Sequence, residues 1–190
     1  MAAFPHPALT ESSPWTVSHE QLDLRTTRPV EFVDLTAEVI DVVRRAGLVH
    51  GLVNIQTRHT TTAIVLNENE PLLFEDVEER LARFASERDR YRHDDLHLRT
   101  VNVGPDERIN GHAHARAVVL GASESVHVVD GALQLGRWQR ILFLELDGAQ
   151  RRSISVVAMG VRGVRSRNGV TSDALGRTEA SQPREATQCG

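Results

Sequence analysis

Two segments carry apolar residues at helical spacing. In "DLTAEVIDVVRRAG" (34–47) and in "PLLFEDVEERLARFASERD" (71–89), apolar side chains recur every three or four positions. Asp34 can cap the start of the first helix and Gly47 can end it, while Pro71 fits the first turn of the second. The pattern predicts two amphipathic helices. Their apolar stripes are Leu35, Val39, Val42 and Ala46 in one, and Phe74, Val77, Leu81 and Phe84 in the other.

The other apolar runs alternate with polar residues or are rich in β-branched residues, as is typical of strands. "WTVSHEQLDLRT" (15–26) predicts one strand, and "HGLVNIQTRHTTTAIVLNENE" (50–70) predicts two strands with a short break between them. A short helix ending near Gly121 is predicted in "HARAVVLGAS" (114–123). After it, strand-like runs separated by glycine-containing turns predict an antiparallel meander.

The two ends of the chain lack such a pattern. Residues 1–14 contain three prolines, and residues 166–190 are rich in Ser, Thr, Gly and charged residues. A segment of this kind buries too little apolar surface to offset the entropy lost on ordering. We therefore expect a mobile N-terminal arm over 1–14, one domain over 15–165 and a disordered tail over 166–190.

Composition narrows the class of protein. The 190 residues carry a net charge of −4 and 4% aromatic residues, which argues against a nucleic-acid platform or a general binder of anionic membranes. Cys189 is the single cysteine, so neither an intrachain disulfide nor a cysteine-based metal site is expected. The sequence has no long apolar span and no pattern of a secretory signal, which predicts a cytoplasmic protein without a membrane partner.

The chain contains nine histidines. They raise the possibility of a metal site or a site of acid–base chemistry, because imidazole is a common metal ligand that titrates near neutral pH. If residues 59–67 form one strand, His59 lies at its start, beside threonine hydroxyls. The sequence is equally compatible with a solvated histidine on the surface. His93 and His97 are four residues apart and would share one face of a helix, as zinc sites require. The charged residues around them favour an ordinary loop.

The segment "NGHAHARAVVLG" (110–121) carries His112, His114 and Arg116 at alternating positions. In an extended chain the three side chains point the same way, so the two imidazoles could hold a divalent ion and the arginine a phosphate beside it. If a helix begins near His114 instead, its free N–H groups would favour an anion. A metal site, an anion site and an ordinary polar loop all remain open here.

Glu145 stands among leucines in "RILFLELDG", where a charged side chain is costly unless it is paired. Arg151 or Arg152 on the next strand would supply a purely structural partner. The alternative is that Glu145 moves a proton or orients another residue of a site.

Taken together, "HTTTAIVLNEN", "YRH", "NGHAHARAVVLG" and "LGRWQRILFLELDG" with the following "RR" resemble the YjbQ-like family over residues 15–163. Its members are often labelled secondary thiamine-phosphate synthases. The resemblance implies a compact α+β fold dominated by antiparallel β-sheet with two main helices, a homotrimer, and a histidine-lined pocket for a metal ion. The positions that match the family are His59, Asn67, Glu68, Asp76, His93, His114, Trp138, Gln139 and Glu145, with His112 less constant and Arg116 where relatives often have lysine.

We therefore hypothesise that His59, His93 and His114 bind a divalent metal, zinc, with His112 as the alternative ligand. The labelled reaction normally uses Mg²⁺. Glu68 or Glu145 would orient a ligand or move a proton, and Arg116 would receive a phosphate. The labelled reaction joins a phosphorylated thiazole to an aminopyrimidine diphosphate and releases diphosphate. The alternatives are a non-catalytic, metal-dependent binding protein for a small phosphorylated metabolite and a metal-dependent hydrolase.

Overall fold

The structure is a computed structural model, and it describes residues 14–163. The predicted tail and all of the predicted arm except Pro14 lie outside the described residues. The elements follow in the order β1 Trp15–Arg25, β2 Glu31–Asp34, α1 Thr36–Ala46, β3 Leu48–Thr57, β4 Thr62–Glu68, α2 Pro71–Phe84, a 3₁₀ turn Arg92–Asp94, α3 Gly111–Leu120, β5 Ser123–Val129, β6 Ala132–Leu133, β7 Gln139–Glu145 and β8 Arg151–Arg162.

The strands form two antiparallel sheets. One has five strands in the order β1-β8-β3-β5-β6, and the other has three in the order β2-β7-β4. The predicted α+β class with mainly antiparallel sheet is confirmed, but the predicted C-terminal meander is wrong, because β7 and β8 lie in different sheets. Ile141 to Glu145 of β7 are all buried. A strand buried on both faces belongs in an inner sheet, whereas strands of a meander over one core would alternate between buried and exposed residues.

The three-stranded sheet lies between two apolar clusters. On one face, Ile64, Ile141 and Phe143 join the core formed by α1 and the five-stranded sheet. On the other face, residues such as Ala63 and Leu144 pack against α2 and α3. Both sheets therefore contribute to a layered core, and β4 and β7 run through its middle.

The helix ends explain where the predicted helices begin and stop. Asp34 accepts the backbone N–H of Thr36 at 2.9 Å, and Gly47 follows α1 in the left-handed conformation with φ of 64°. Pro71 opens α2, and the Glu70 carboxylate accepts two of its first N–H groups. Phe84 is 58% exposed, so the predicted apolar stripe of α2 ends one turn earlier than expected.

The outer face of the five-stranded sheet has two halves. Along β1 every second residue is exposed, and along β8 the residues on the same side are half-buried or exposed. Near the start of β1 this face is apolar, with Val17 opposite Met159. At the other end of the same strand pair, Arg25 lies opposite Arg151.

Candidate functional site

His59 lies in the turn between β3 and β4 and not at the start of one strand over residues 59–67, because β4 begins only at Thr62. Its Nε2 atom accepts the backbone N–H of Ser153 at 2.9 Å. The neutral ring therefore carries its hydrogen on Nδ1. Burial lowers the pKa of His59, and the charge of Arg152 lowers it further. At neutral pH this ring is an uncharged donor through Nδ1–H.

A buried ion pair lies beneath this turn. Glu145 is fully buried and Arg152 is 5% exposed. Arg152 donates from Nε at 2.6 Å and from Nη2 at 2.5 Å to the two carboxylate oxygens of Glu145. Thr26 Oγ1 and the backbone N–H groups of Leu146 and Asp147 donate to the same carboxylate. The pairing predicted for Glu145 is thus present, with Arg152 and not Arg151 as the partner; its role in proton transfer stays a prediction.

Arg152 also ties the pair to the turn, since its Nη2 donates to Thr61 Oγ1 at 3.3 Å. Strand β8 therefore holds the turn at two points, through Arg152 to Thr61 and through Ser153 to His59. The position of the His59 ring depends on this connection.

A cavity of about 670 Å³, which we call the His59 cavity, opens where the turn meets β1 and β8. Arg25 and Arg151 lie directly opposite one another on its wall. Within residues 14–163, no carboxylate lies within 4.0 Å of either guanidinium, and Asp23 on the same wall accepts a hydrogen bond from Gln21. The lining residues are Gln21, Asp23, Leu24, Arg25, His59, Arg151, Arg152 and Ser153.

A second group of histidines lies on the other side of His59. The His93 and His114 rings have centroids 4.4 Å apart, and His93 Nε2 accepts from Arg99 Nη1 at 3.1 Å, because a guanidinium can only donate. Burial lowers the pKa of His114, and the neighbouring His93 adds to that shift. His114 and His59 both line a groove of about 460 Å³, the His114 groove, whose other walls are Thr60, Thr62, Ala117, Val118, Gly121 and Ala122.

The predicted zinc site is wrong. In the described part of the chain, no group of three or more His, Cys, Asp or Glu side chains is arranged to hold a metal ion. His59 and His93 each use the Nε2 lone pair to accept a hydrogen bond, so the hydrogen on Nδ1 leaves neither ring a free lone pair for a metal. The structure brings His93 and His114 together and places His59 and His114 on one groove, but these residues do not fit a metal centre.

His112, His114 and Arg116 do not point the same way, because the segment is helical and not extended. On a helix, residues two apart lie on nearly opposite sides, whereas residues four apart share a face. His112 and Arg116 approach Glu87 at 3.8 and 3.7 Å, while His114 faces His93. Burial lowers the pKa of His112, with a further contribution from the charge of Arg116.

Arg116 is 2% exposed, and its Nε donates to the carbonyl oxygen of Ala85 at 3.0 Å. This burial favours a structural role that fixes α3 to the end of α2. The predicted contact between Arg116 and a phosphate stays a prediction without geometric support.

The other predicted residues lie at the far end of the β4–β7 pair. Glu68 pairs with Gln139, whereas Thr62, next to the His59 turn, pairs with Glu145. Six strand positions separate the two ends, or about 20 Å at the rise of an antiparallel strand. The structure therefore does not bring Glu68 to His59 within one chain. Exposed positions in or beside this far group include Asn67, Asp76 and Trp138.

Sequence reasoning missed Arg25, Arg151 and Ser153 as residues of the His59 cavity. The "RR" at 151–152 is visible in the sequence, but the opposition of Arg25 and Arg151 depends on the register of β1 against β8. Of the described helices, none is long and apolar enough to cross a membrane. The cytoplasmic location stays a prediction.

Fold and site together define a small α+β protein with antiparallel sheets and a cavity lined by one histidine and several charged side chains. Residues 20–161 match the model of the family described as UPF0047 protein YjbQ-like. The chain therefore belongs to this family, as its motifs indicated.

Individual relatives and solved structures support this family assignment. A UPF0047 protein of Archaeoglobus fulgidus is 40% identical over 139 residues, which cover 73% of this chain and 99% of the relative. One from Methanothermobacter thermautotrophicus is 38% identical over 141 residues, covering 74% of this chain and 91% of the relative. The crystal structure of a YbjQ-like protein of unknown function from Sulfolobus solfataricus is 33% identical, with a TM-score of 0.69, and covers 77% of this chain and 99% of that one.

These findings overturn the expected function. The family is uncharacterised. The Sulfolobus protein is described as of unknown function. A Clostridium acetobutylicum member of the family is described as uncharacterised; its structure has a TM-score of 0.64 and is 29% identical, covering 72% of this chain and 97% of that one. The prediction of a thiamine-phosphate synthase, a transferase, is therefore wrong. The metal-dependent binding protein and hydrolase are not retained either, since the described residues do not form the metal site that they need.

Proposed function

We propose that this chain binds a small phosphorylated molecule in the His59 cavity, with the phosphate between Arg25 and Arg151 and without a metal ion. The observation that carries the proposal is the direct opposition of two arginines on neighbouring strands with no carboxylate within ion-pair distance among the described residues. Like charges directly opposite each other destabilise a sheet. An anion between them offsets this repulsion.

The chemistry of the wall fits a phosphate. A guanidinium presents a planar set of donors that matches phosphate oxygens in pairs. His59 lines the same cavity, and its neutral ring carries the hydrogen on Nδ1, because its Nε2 is engaged with Ser153. The cavity volume of about 670 Å³ lies within the range of small-molecule sites and leaves room for the body of a metabolite beyond its phosphate.

We predict that Arg25→Gln and Arg151→Gln each weaken binding of phenyl phosphate by about tenfold or more, because each removes charge-assisted hydrogen bonds. Isothermal titration calorimetry with phenyl phosphate measures this directly, and a chelator is expected to leave the affinity of the unmodified protein unchanged. Arg45→Gln is the matched control, since Arg45 is an exposed arginine that pairs with Glu20 away from the cavity. Equal affinities in all three variants would show that the two opposed arginines do not hold the phosphate.

We also propose that three copies of the chain associate through the apolar half of the outer sheet face. Val17 is 63% and Val161 38% exposed. Half-buried Met159 lies opposite Val17, and half-buried Val157 extends this surface along β8, opposite His19. Contiguous exposed apolar surface of this kind is typical of protein interfaces. The number three is what the resemblance to the YjbQ-like family implies, and Arg25 and Arg151 lie at the opposite end of the strand pair.

Val17→Lys is expected to shift the mass in solution from that of three chains toward the 21.1 kDa of one, because it places a charge in the contact. Light scattering after size-exclusion chromatography gives the mass. Leu72→Lys is the matched control, since Leu72 is 67% exposed on α2 and lies outside the outer sheet face. If Val17→Lys keeps the assembled mass and Leu72→Lys loses it, the interface lies on the helices instead.

A further inference from the structure

A third cavity lies between α1 and the connection from β6 to β7, and we call it the α1 cavity. Its volume is about 450 Å³, and it shares no lining residue with the His59 cavity. The residues that matter for its chemistry are Ile40, Val43, Leu133, Leu135, Arg137 and Arg140.

The floor of the α1 cavity is apolar. Val43 is 2% exposed and belongs to the main core, and Leu133 and Leu135 pack against that core from the β6 side. Ile40 is 40% exposed, which is unusual for an isoleucine on a helix that packs on the core. The cavity therefore brings solvent into contact with apolar side chains that a ligand could cover.

Two arginines supply the charge of this cavity. Among residues 14–163, no carboxylate lies within 4.0 Å of the Arg137 guanidinium, which instead lies 4.7 Å from the centre of the Trp138 ring. Arg140 Nε is 3.9 Å from Asp34 Oδ2.

At 3.9 Å this ion pair is longer than a hydrogen bond, and the Asp34 carboxylate also accepts hydrogen bonds from Thr36 N–H and from Asn69 Nδ2. Among the residues that the structure describes, none of those lining the α1 cavity is acidic. The cavity thus combines an apolar floor with two guanidinium groups: Arg137, which has no carboxylate within 4.0 Å among the described residues, and Arg140, which has the longer contact to Asp34.

We propose that the α1 cavity binds a small amphipathic carboxylate, with its hydrocarbon part on Val43, Leu133 and Leu135 and its carboxylate at Arg137 and Arg140. Mostly apolar walls with a few convergent polar groups are the usual composition of a small-molecule site, and the volume lies within the usual range. A bare phosphate would leave the apolar floor exposed, and an uncharged hydrocarbon would make no charge-assisted hydrogen bond with the two guanidinium groups. The ligand therefore needs both parts.

Octanoate is a suitable probe, and 1-octanol and octylammonium supply the same hydrocarbon chain with no charge or with a positive charge. We expect calorimetry to give one octanoate bound per chain, with 1-octanol bound about tenfold more weakly and octylammonium more weakly still. Arg137→Gln with Arg140→Gln should weaken octanoate about tenfold and leave phenyl phosphate binding unchanged. Ile40→Glu, which puts a carboxylate at the exposed mouth of the cavity, should weaken octanoate to a similar degree.

Arg45→Gln again serves as the control, because Arg45 lies on the same helix and pairs with Glu20. The absence of octanoate binding, or equal affinities for octanoate and 1-octanol, would overturn the proposal. So would unchanged octanoate binding in the double arginine variant. Thermal unfolding of each variant, compared with the unmodified protein, shows whether a lost heat of binding reflects a lost fold.

Discussion

Replacing Arg152 with methionine is expected to lower the free energy of unfolding by about 3–5 kcal/mol, because it leaves a buried charge without its partner. Glu145 is fully buried, and Arg152 meets both of its carboxylate oxygens. Methionine keeps an unbranched side chain but has no donor, so the carboxylate keeps only Thr26 Oγ1 and two backbone N–H groups. Urea denaturation followed by circular dichroism measures the loss.

Arg151→Met is the matched control, since Arg151 is the exposed neighbour and has no carboxylate within 4.0 Å in the described part of the chain. Its effect should stay within about 0.5 kcal/mol. The double variant Glu145→Leu with Arg152→Met should recover part of the loss, because an apolar pair avoids the uncompensated charge. If Arg152→Met proves no more destabilising than Arg151→Met, the ion pair does not hold the turn of His59 in place.

The parts of the fold that depend on local chemistry could be predicted from the sequence. Helix α1 ends at the left-handed Gly47 as predicted, and it begins at Thr36, one residue later than a cap at Asp34 would place it, with Leu35 at the N-cap position and the Asp34 carboxylate accepting the Thr36 N–H. The short helix α3 ends at Leu120, directly before Gly121, as predicted. The pairing of Glu145 with an arginine of the next strand also followed from the energetics of one buried charge.

What could not be predicted depends on contacts between distant parts of the chain. The apolar residues of β7 indicate a strand but not its sheet, because β2 and β4, which flank it, come much earlier in the chain. Alternation through residues 59–67 is compatible with a strand that includes His59, yet the chain turns there and β4 begins at Thr62. The periodicity did not reveal that turn.

In the candidate site, too, local features could be predicted from the sequence, whereas contacts between distant parts of the chain could not. Residue type pointed to His59, and this residue lines both the His59 cavity and the His114 groove. The expectation of a metal centre failed for a reason that residue type cannot show: the hydrogen bonds from Ser153 and Arg99 occupy the Nε2 lone pairs of His59 and His93. Likewise, Arg25 and Arg151 are ordinary surface arginines until the strand register places them opposite each other.

Gly51→Ala is expected to destabilise the protein by about 3 kcal/mol, because an added methyl group would overlap backbone atoms that cannot move aside. A Cβ at this position would overlap the carbonyl oxygen of Met159 and lie 2.8 Å from the Cα of Gly160. Gly51 and Gly160 are paired residues of β3 and β8, and each would meet the backbone of the other strand. Chemical denaturation of the variant gives the change in free energy.

The clash is costly because neither strand is free to shift. Strand β3 is paired with β5 on its other side, where Gly51 meets Val128, and β8 is paired with β1. Gly160→Ala should therefore be about as destabilising as Gly51→Ala, whereas Gly104→Ala, whose Cβ would meet only a side-chain atom of Glu107 at 3.9 Å, should change stability by less than about 0.5 kcal/mol. If Gly51→Ala were as mild as Gly104→Ala, β3 and β8 could separate locally without loss of the core, and the close approach of the two strands would not be what keeps the five-stranded sheet together at this point.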